Sequence, residues 1–367
     1  MIFPVMPYFI KAINQPDYIL GLVIAVFAFM NFICSPFWGV LSDRKGRKPV
    51  MLLSIAITFF SNILMAFSHN WPLLFVARMI GGIGSANISV AQAYMSDISV
   101  PHERTKNMGL IGAMFGLGFI AGPVFGPYLN QYNAAASLFW VGIGAAALNL
   151  FNFISALLFL KESNTKFDAE KRSINPIVLI MKWIEYPVIK NLMWLFFLYV
   201  VAFSLMQATS GLLWKEKYGL TDKQTGNLMA YIGITSFIFQ GWLAGKLSKK
   251  ISPKKMIFMG TSLMAVGLST LPLPPIKQFI PLELIPITLL SLGNALITPA
   301  VMSWLSRKAP ETQTGQVLGA NQSFSSLARV IGPPLGTTLF MTFHNLPFYL
   351  CGLIMLLPIA IIYRLKE

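Results

Sequence analysis

Eleven runs of about 20 mainly apolar residues follow one another along this chain, and any fold must give them an apolar solvent. They lie near 19–41, 49–68, 72–95, 107–128, 135–160, 189–213, 225–247, 256–273, 281–304, 315–341 and 345–363. At about 1.5 Å rise per residue, each is long enough to cross the hydrocarbon core of a bilayer as a helix. Of the 367 residues, 55% are hydrophobic and only 11% charged, where a soluble domain carries roughly a quarter charged residues. Too few polar side chains remain to clothe a globule in water. The pattern predicts an all-α polytopic membrane protein whose solvent is lipid.

The formal net charge of +15 raises the question of a nucleic-acid partner. Its distribution argues against one, because the basic residues cluster in short loops between the apolar runs. Of the 28 Lys and Arg residues, 21 fall on one side of the predicted membrane and 5 on the other, with Arg78 and Arg329 inside the runs. The richer side is cytoplasmic by the positive-inside rule, which fits a cell inner (plasma) membrane protein. Ahead of the first run sits an apolar stub, Met1 to about Ile10, too short to cross. Its Pro4-Val5-Met6-Pro7-Tyr8 leads to Asp17 as the outer end of a first helix would, so about 20 preceding residues are expected, giving twelve spans and cytoplasmic termini. The expected organisation is a helix bundle over 1–160, a cytoplasmic linker over 161–188 and a second bundle over 189–367. Within the linker, Ile174 to Ile184 mixes apolar residues with Lys182, as a helix lying along the inner membrane surface does.

The two halves echo one another. Gly39-Val40-Leu41-Ser42-Asp43-Arg44-Lys45-Gly46-Arg47-Lys48-Pro49 returns as Gly245-Lys246-Leu247-Ser248-Lys249-Lys250-Ile251-Ser252-Pro253-Lys254-Lys255, 206 residues later. Ala121-Gly122-Pro123-Val124-Phe125-Gly126 returns as Ile331-Gly332-Pro333-Pro334-Leu335-Gly336, displaced by 210. Two matches at nearly one offset point to parallel repeats of six helices, an arrangement in which substrate sites lie near mid-membrane.

The residues resemble the major facilitator superfamily, and within it the twelve-span drug:proton antiporters that include tetracycline and multidrug exporters. Gly39 to Pro49 is similar to the superfamily's loop motif G-x-L-[SA]-D-R-x-G-R-[RK]-P at every named position. Leu74-x-x-x-Arg78-x-x-Gly81-Gly82-x-Gly84-Ser85-Ala86 resembles the motif of the fourth helix, with Gly81 where Gln is usual. Gly118-x-x-x-Gly122-Pro123-x-x-Gly126-Pro127 resembles the antiporter motif of the fifth helix, with Pro127 in place of the last Gly. The resemblance covers the whole chain. It implies a major facilitator fold of two pseudo-symmetric six-helix bundles, the first helix largely missing from this chain, working by alternating access. It also implies secondary transport of a small-molecule substrate, with protons as the coupling ion and export favoured over uptake. Uptake of a metabolite or sugar in the same fold, or a membrane sensor without transport, are the alternatives.

Several residues are expected to do this work. Gly39 permits close helix packing and Gly46 a tight turn. Asp43 can meet Arg47, or the positive helix N-terminus near Thr314 and Gly315; Asp97 can pair with Arg44 or Arg47. With Lys48, these form a gating cluster at the inner rim. Gly112, Gly116, Gly118, Gly122 and Gly126 make a small-residue stripe bent at Pro123; the resemblance implies contact with the eighth helix. Arg329 lies about 21 Å into its run, where a guanidinium needs a cavity or partner. Arg78, about 9 Å from the outer end, can act in proton transfer as the resemblance implies, or can snorkel to the interface. Asn31, Asn87, Gln92, Gln207, Gln240, Asn294, Asn321 and Gln322 are the polar residues available to line a cavity, each alone also fitting a helix–helix hydrogen bond. No Asp or Glu stands at mid-membrane: Glu283 falls near the outer end of its run, and His69 and His344 in outer loops. The resemblance implies an acidic residue in the first helix as the proton carrier, in the part of that helix not present here.

Enzymatic chemistry finds no support. No Ser/His/Asp set, zinc motif or P-loop is present, and the three histidines are scattered. Cys34 and Cys351 lie inside apolar runs without disulfide or metal spacing. No catalytic residue, metal or cofactor is expected, and the chain is expected to be monomeric.

Overall fold

The computed structural model describes residues 5–130, 138–164, 175–275 and 279–365. Helices account for nearly all of them: α1 Met6–Ala12, α2 Asp17–Lys45, α3 Arg47–Ala66, α4 Trp71–Ser85, α5 Ile88–Asp97, α6 Arg104–Asn130 and α7 Phe139–Phe159. After the polar stretch come α8 Pro176–Ile184, α9 Pro187–Leu212, α10 Asp222–Ile238, α11 Ala244–Leu247, α12 Pro253–Thr270, α13 Phe279–Lys308, α14 Thr314–Thr342, α15 Leu346–Ile354 and α16 Leu356–Arg364. Every apolar run becomes one helix or a briefly interrupted pair.

Each interruption has a local cause. In the last turns of α4, before the break that precedes α5, Gly81-Gly82-x-Gly84 lowers helix propensity. A wide turn at Phe239–Leu243 absorbs an extra residue between α10 and α11 without ending the helix, and another, Leu213–Lys217, closes α9. Prolines stand inside α2, α13 and α14, which removes a backbone donor and frees a carbonyl one turn earlier. Helix starts are signalled where expected: Asn70 accepts from the Leu73 N–H at 3.0 Å, and Thr221 with Gln224 forms a capping box.

Among the described residues, eight helical segments are long and apolar enough to cross a membrane, including Ile19–Lys45, Arg47–Ala66, Pro187–Lys217 and Pro281–Lys308. The long helices outside that set are α6, α12 and α14. The last is rich in buried serine and amide side chains, from Gln316 to Ser326. The outer faces are apolar: Phe151 is 70% exposed, Phe159 81% and Met341 88%. Side chains so exposed suit lipid, where they cost nothing.

The chain forms two compact units. One comprises Met1–Asp97, Ala121–Ile180 and Pro310–Ser326; the other Ile98–Ile120, Met181–Ala309 and Leu327–Glu367. Each therefore takes in one helix segment from the opposite half of the sequence. In the first unit, Val5, Met6, Phe9, Ile10, Val23, Met65, Leu74 and Val141 form an apolar core. Polar groups join its helices: the Ser61 hydroxyl donates to the Ala77 carbonyl at 2.7 Å, and the Trp38 indole N–H to the Ile83 carbonyl at 2.6 Å. The second unit is dominated by α12 packed along α13, with α9, α15 and α16 beside them.

Candidate gating site

The first turns of α14 lie along α2 inside the first unit, and small residues make this possible. A Cβ on Gly39 would collide with the Gly315 carbonyl, and one on Gly319 would come within 2.8 Å of the Ser35 carbonyl. One turn further, Ser323 donates its hydroxyl to the carbonyl of Phe32. That carbonyl is the acceptor Pro36 leaves without an intrahelical donor, since proline carries no N–H. Gly315, Gly319 and Ser323, spaced by four, thus form the stripe on which the two helices meet.

At the end of this stripe sits Asp43, 1% exposed. Its Oδ1 accepts the Gly315 N–H at 3.0 Å and its Oδ2 the Gln316 N–H at 2.8 Å. These are orphan donors of the first turn of α14, and the helix dipole adds positive potential there. Oδ1 also meets Arg47 Nη1 at 2.6 Å. Arg47, equally buried, extends the network: Nη1 donates to Ser42 Oγ at 2.6 Å and Nε to Asp97 Oδ2 at 2.9 Å. Ser163 donates to that same Asp97 oxygen at 3.1 Å. One guanidinium thereby joins two carboxylates from α2 and α5, while one of those carboxylates holds the N-terminus of α14.

Residues of the polar stretch complete the cluster. Glu162 accepts the backbone N–H groups of Arg47 at 2.8 Å and Lys48 at 3.0 Å, capping α3 in place of a local side chain. Gly46, with φ +99°, makes the turn between α2 and α3 and lies against this carboxylate, where a Cβ would strike Glu162 Oε2. Asn164 Nδ2 donates to the carbonyls of Ser42 at 3.3 Å and Asp43 at 3.0 Å, closing the end of α2. Lys48 reaches outward to the Leu157 carbonyl at 3.0 Å; Arg44 is partly buried beside the cluster.

The other singled-out residues fall elsewhere. Arg78 is 7% exposed, with its guanidinium 4.1 Å from the Phe27 ring centroid. It points into the first unit and does not snorkel. Arg329 is exposed on α14 in the second unit, within electrostatic reach of Tyr199. Tyr199 donates to Asn294 Oδ1 at 2.5 Å, which also accepts from Thr298 at 3.0 Å. On α6, Gly109, Gly112 and Gly116 press on Gln240, Phe237 and Gly233, the eighth helix of the sequence count. Gly118 has nothing within 4 Å of where its Cβ would stand, so it lies off that stripe. Gly122 is buried; the side-chain surroundings of Pro123 and Gly126 lie outside the described residues.

Several of the polar residues proposed for a cavity make helix–helix contacts. Asn31 bonds Ser85 at 3.1 Å and Asn87 bonds Ser54 at 2.7 Å, both as helix–helix contacts. Gln92, Gln240, Asn321 and Gln322 are buried, and Gln207 is exposed on α9. Sequence reasoning missed Glu162, Asn164 and Tyr199, whose partners lie about a hundred residues away. It also missed Gly319 and Ser323, although their four-residue spacing from Gly315 is readable.

Repeated helical segments of membrane-crossing length fit a multi-pass membrane protein. The family model described as Major Facilitator Superfamily matches residues 1–333 and again 210–367. The chain belongs to the major facilitator superfamily. It is 29% identical to the class C tetracycline resistance protein of Escherichia coli, covering 93% of this chain and 85% of that protein. It is 29% identical to multidrug resistance protein 2 of Bacillus subtilis (strain 168), covering 100% and 91%. It is 26% identical to the quinolone resistance protein NorA of Staphylococcus aureus (strain COL), covering 100% and 92%. The fold matches the crystal structure of the human organic anion transporter MFSD10 (TETRAN) with a TM-score of 0.85 at 24% identity, over 97% of this chain and 88% of that one.

Proposed function

We propose that this transporter exports drugs or small amphipathic metabolites in exchange for protons, and that the Asp43–Arg47–Asp97 cluster is the latch of its cytoplasmic gate. The reading rests on one observation. A buried carboxylate on α2 binds both first-turn amides of α14, a helix from the other half of the sequence, and is itself tied through Arg47 to Asp97. Opening this end for substrate entry requires the bonds from Asp43 to the α14 amides to break together, and closing re-forms them, so the latch has two discrete states, as alternating access requires. The Lys and Arg excess supports a cytoplasmic position for the latch. Export of drugs draws on the likeness to tetracycline, multidrug and quinolone resistance proteins.

The test is transport in everted membrane vesicles carrying the full chain, with tetracycline and a fluoroquinolone as probes. Energised vesicles should accumulate a probe, and collapse of the proton gradient should stop it. Accumulation that persists after collapse would refute proton exchange.

A further inference from the structure

The described residues hold one more enclosed carboxyl, far along the sequence from the latch. Glu283, in the second turn of α13, is 0% exposed. Its Oε1 accepts the indole N–H of Trp214 at 2.8 Å. Its Oε2 is buried and meets no hydrogen-bond partner among the described residues. Enclosing an unpaired carboxylate oxygen is costly, and proton uptake removes that cost. Trp214 and Lys217 sit in the wide turn Leu213–Lys217 that continues α9. Such single wide turns recur at functional positions.

Lys217, which interacts electrostatically with this carboxyl, also lines an open cavity of about 570 Å³ together with Glu216, His344 and Tyr349. Its ammonium donates to the Pro272 carbonyl at 2.7 Å and to Asn345 Oδ1 at 2.9 Å. Tyr218, the other titratable group in electrostatic contact with Glu283, donates to the Pro272 carbonyl at 2.9 Å. His344 and Glu216 stand 3.5 Å apart at the mouth. On α10, Tyr231 is engaged with Thr288, five residues beyond Glu283.

We propose that Glu283 is a proton-binding site coupled to transport. Its Oε2 takes a proton that hydronium gives up: one O–H bond of hydronium breaks as the carboxyl O–H forms, leaving water, and the reverse step returns the proton to water later in the cycle, with no change of oxidation state. This rests on the proton-exchange reading above and gives it a carboxyl within the present chain.

The experiment uses the full chain in proteoliposomes, with tetracycline followed in two modes: uptake driven by a pH gradient, and exchange of labelled for unlabelled compound without one. Glu283→Gln keeps the acceptor for Trp214 and the volume, but cannot carry a proton. It should lower gradient-driven uptake at least tenfold while leaving exchange within twofold of the unsubstituted protein. Lys217→Gln keeps a donor and removes the cation beside the site, so the pH at which uptake falls by half should move upward. Gradient-driven uptake unchanged in Glu283→Gln would overturn the assignment. So would equal loss of both modes in Glu283→Gln and Trp214→Phe with an unmoved pH profile in Lys217→Gln, which would make the carboxyl a structural anchor. A gradient-independent unsubstituted protein would instead overturn proton exchange itself, and this site with it.

Discussion

Replacing Asp43 by Asn removes one charge and almost no volume. The carboxylate receives three donors, two first-turn amides of α14 and the Arg47 guanidinium. An amide offers one oxygen, and its NH2 group must then face a donor. Removing one partner of a buried ion pair costs about 3–5 kcal/mol, and loss of the anion at a helix N-terminus adds up to ~2 kcal/mol in partly buried geometry. Some of this falls on the open state too, because Arg47, just across the Gly46 turn from the end of α2, stays beside Asp43 there. A net ~3 kcal/mol against the latched state is a shift of roughly two orders of magnitude, at 1.4 kcal/mol per tenfold. The assay is maleimide labelling of Asn321→Cys, buried two turns into α14, in a Cys34→Ser, Cys351→Ser background. Asp43→Asn should raise the labelling rate at least tenfold and cut efflux of tetracycline by a similar factor. Asp97→Asn, whose own side chain is 17% exposed and so screened by water, should do so only a few-fold. Labelling and efflux both unchanged within twofold in Asp43→Asn would refute the latch.

Other substitutions separate packing from transport. Glu162→Ala removes the cap on two N–H groups of α3 and should cost about 1 kcal/mol, read as a lower melting temperature in detergent with efflux largely retained. Gly112→Val drives side-chain carbon into Gln240 and should cut folded yield, or leave a protein that leaks protons, measured by passive collapse of a pH gradient. Arg329→Ala, at an exposed position near Tyr199, should preserve the fold by gel filtration yet lower efflux at least tenfold. Normal efflux there would assign Arg329 no transport role.

Much of the architecture is written locally. Apolar runs of about 20 residues predict where helices form, because hydropathy and length are properties of contiguous sequence. The loop from Gly39 to Pro49 carries its turn glycine and its charges within eleven residues, so the family resemblance is legible without coordinates. Even the option of Asp43 meeting the N-terminus near Gly315 follows from charge and helix direction.

What a linear reading leaves open is which face of each helix meets which neighbour. Asp97 had two arginines within reach on paper, and packing directs Arg47 to it. Arg78 had a path to the membrane surface, but the Phe27 ring and the turn of α4 take it inward. Glu162 and Asn164 read as linker, yet they cap helices whose ends lie more than a hundred residues earlier. Glu283 reads as a carboxyl near a membrane edge, and packing encloses it beside Trp214. Hydropathy and spacing act between residues adjacent in sequence, so the chain alone determines its helices, its halves and its family. Burial and partner choice arise between residues distant in sequence, and those are decided when the helices pack.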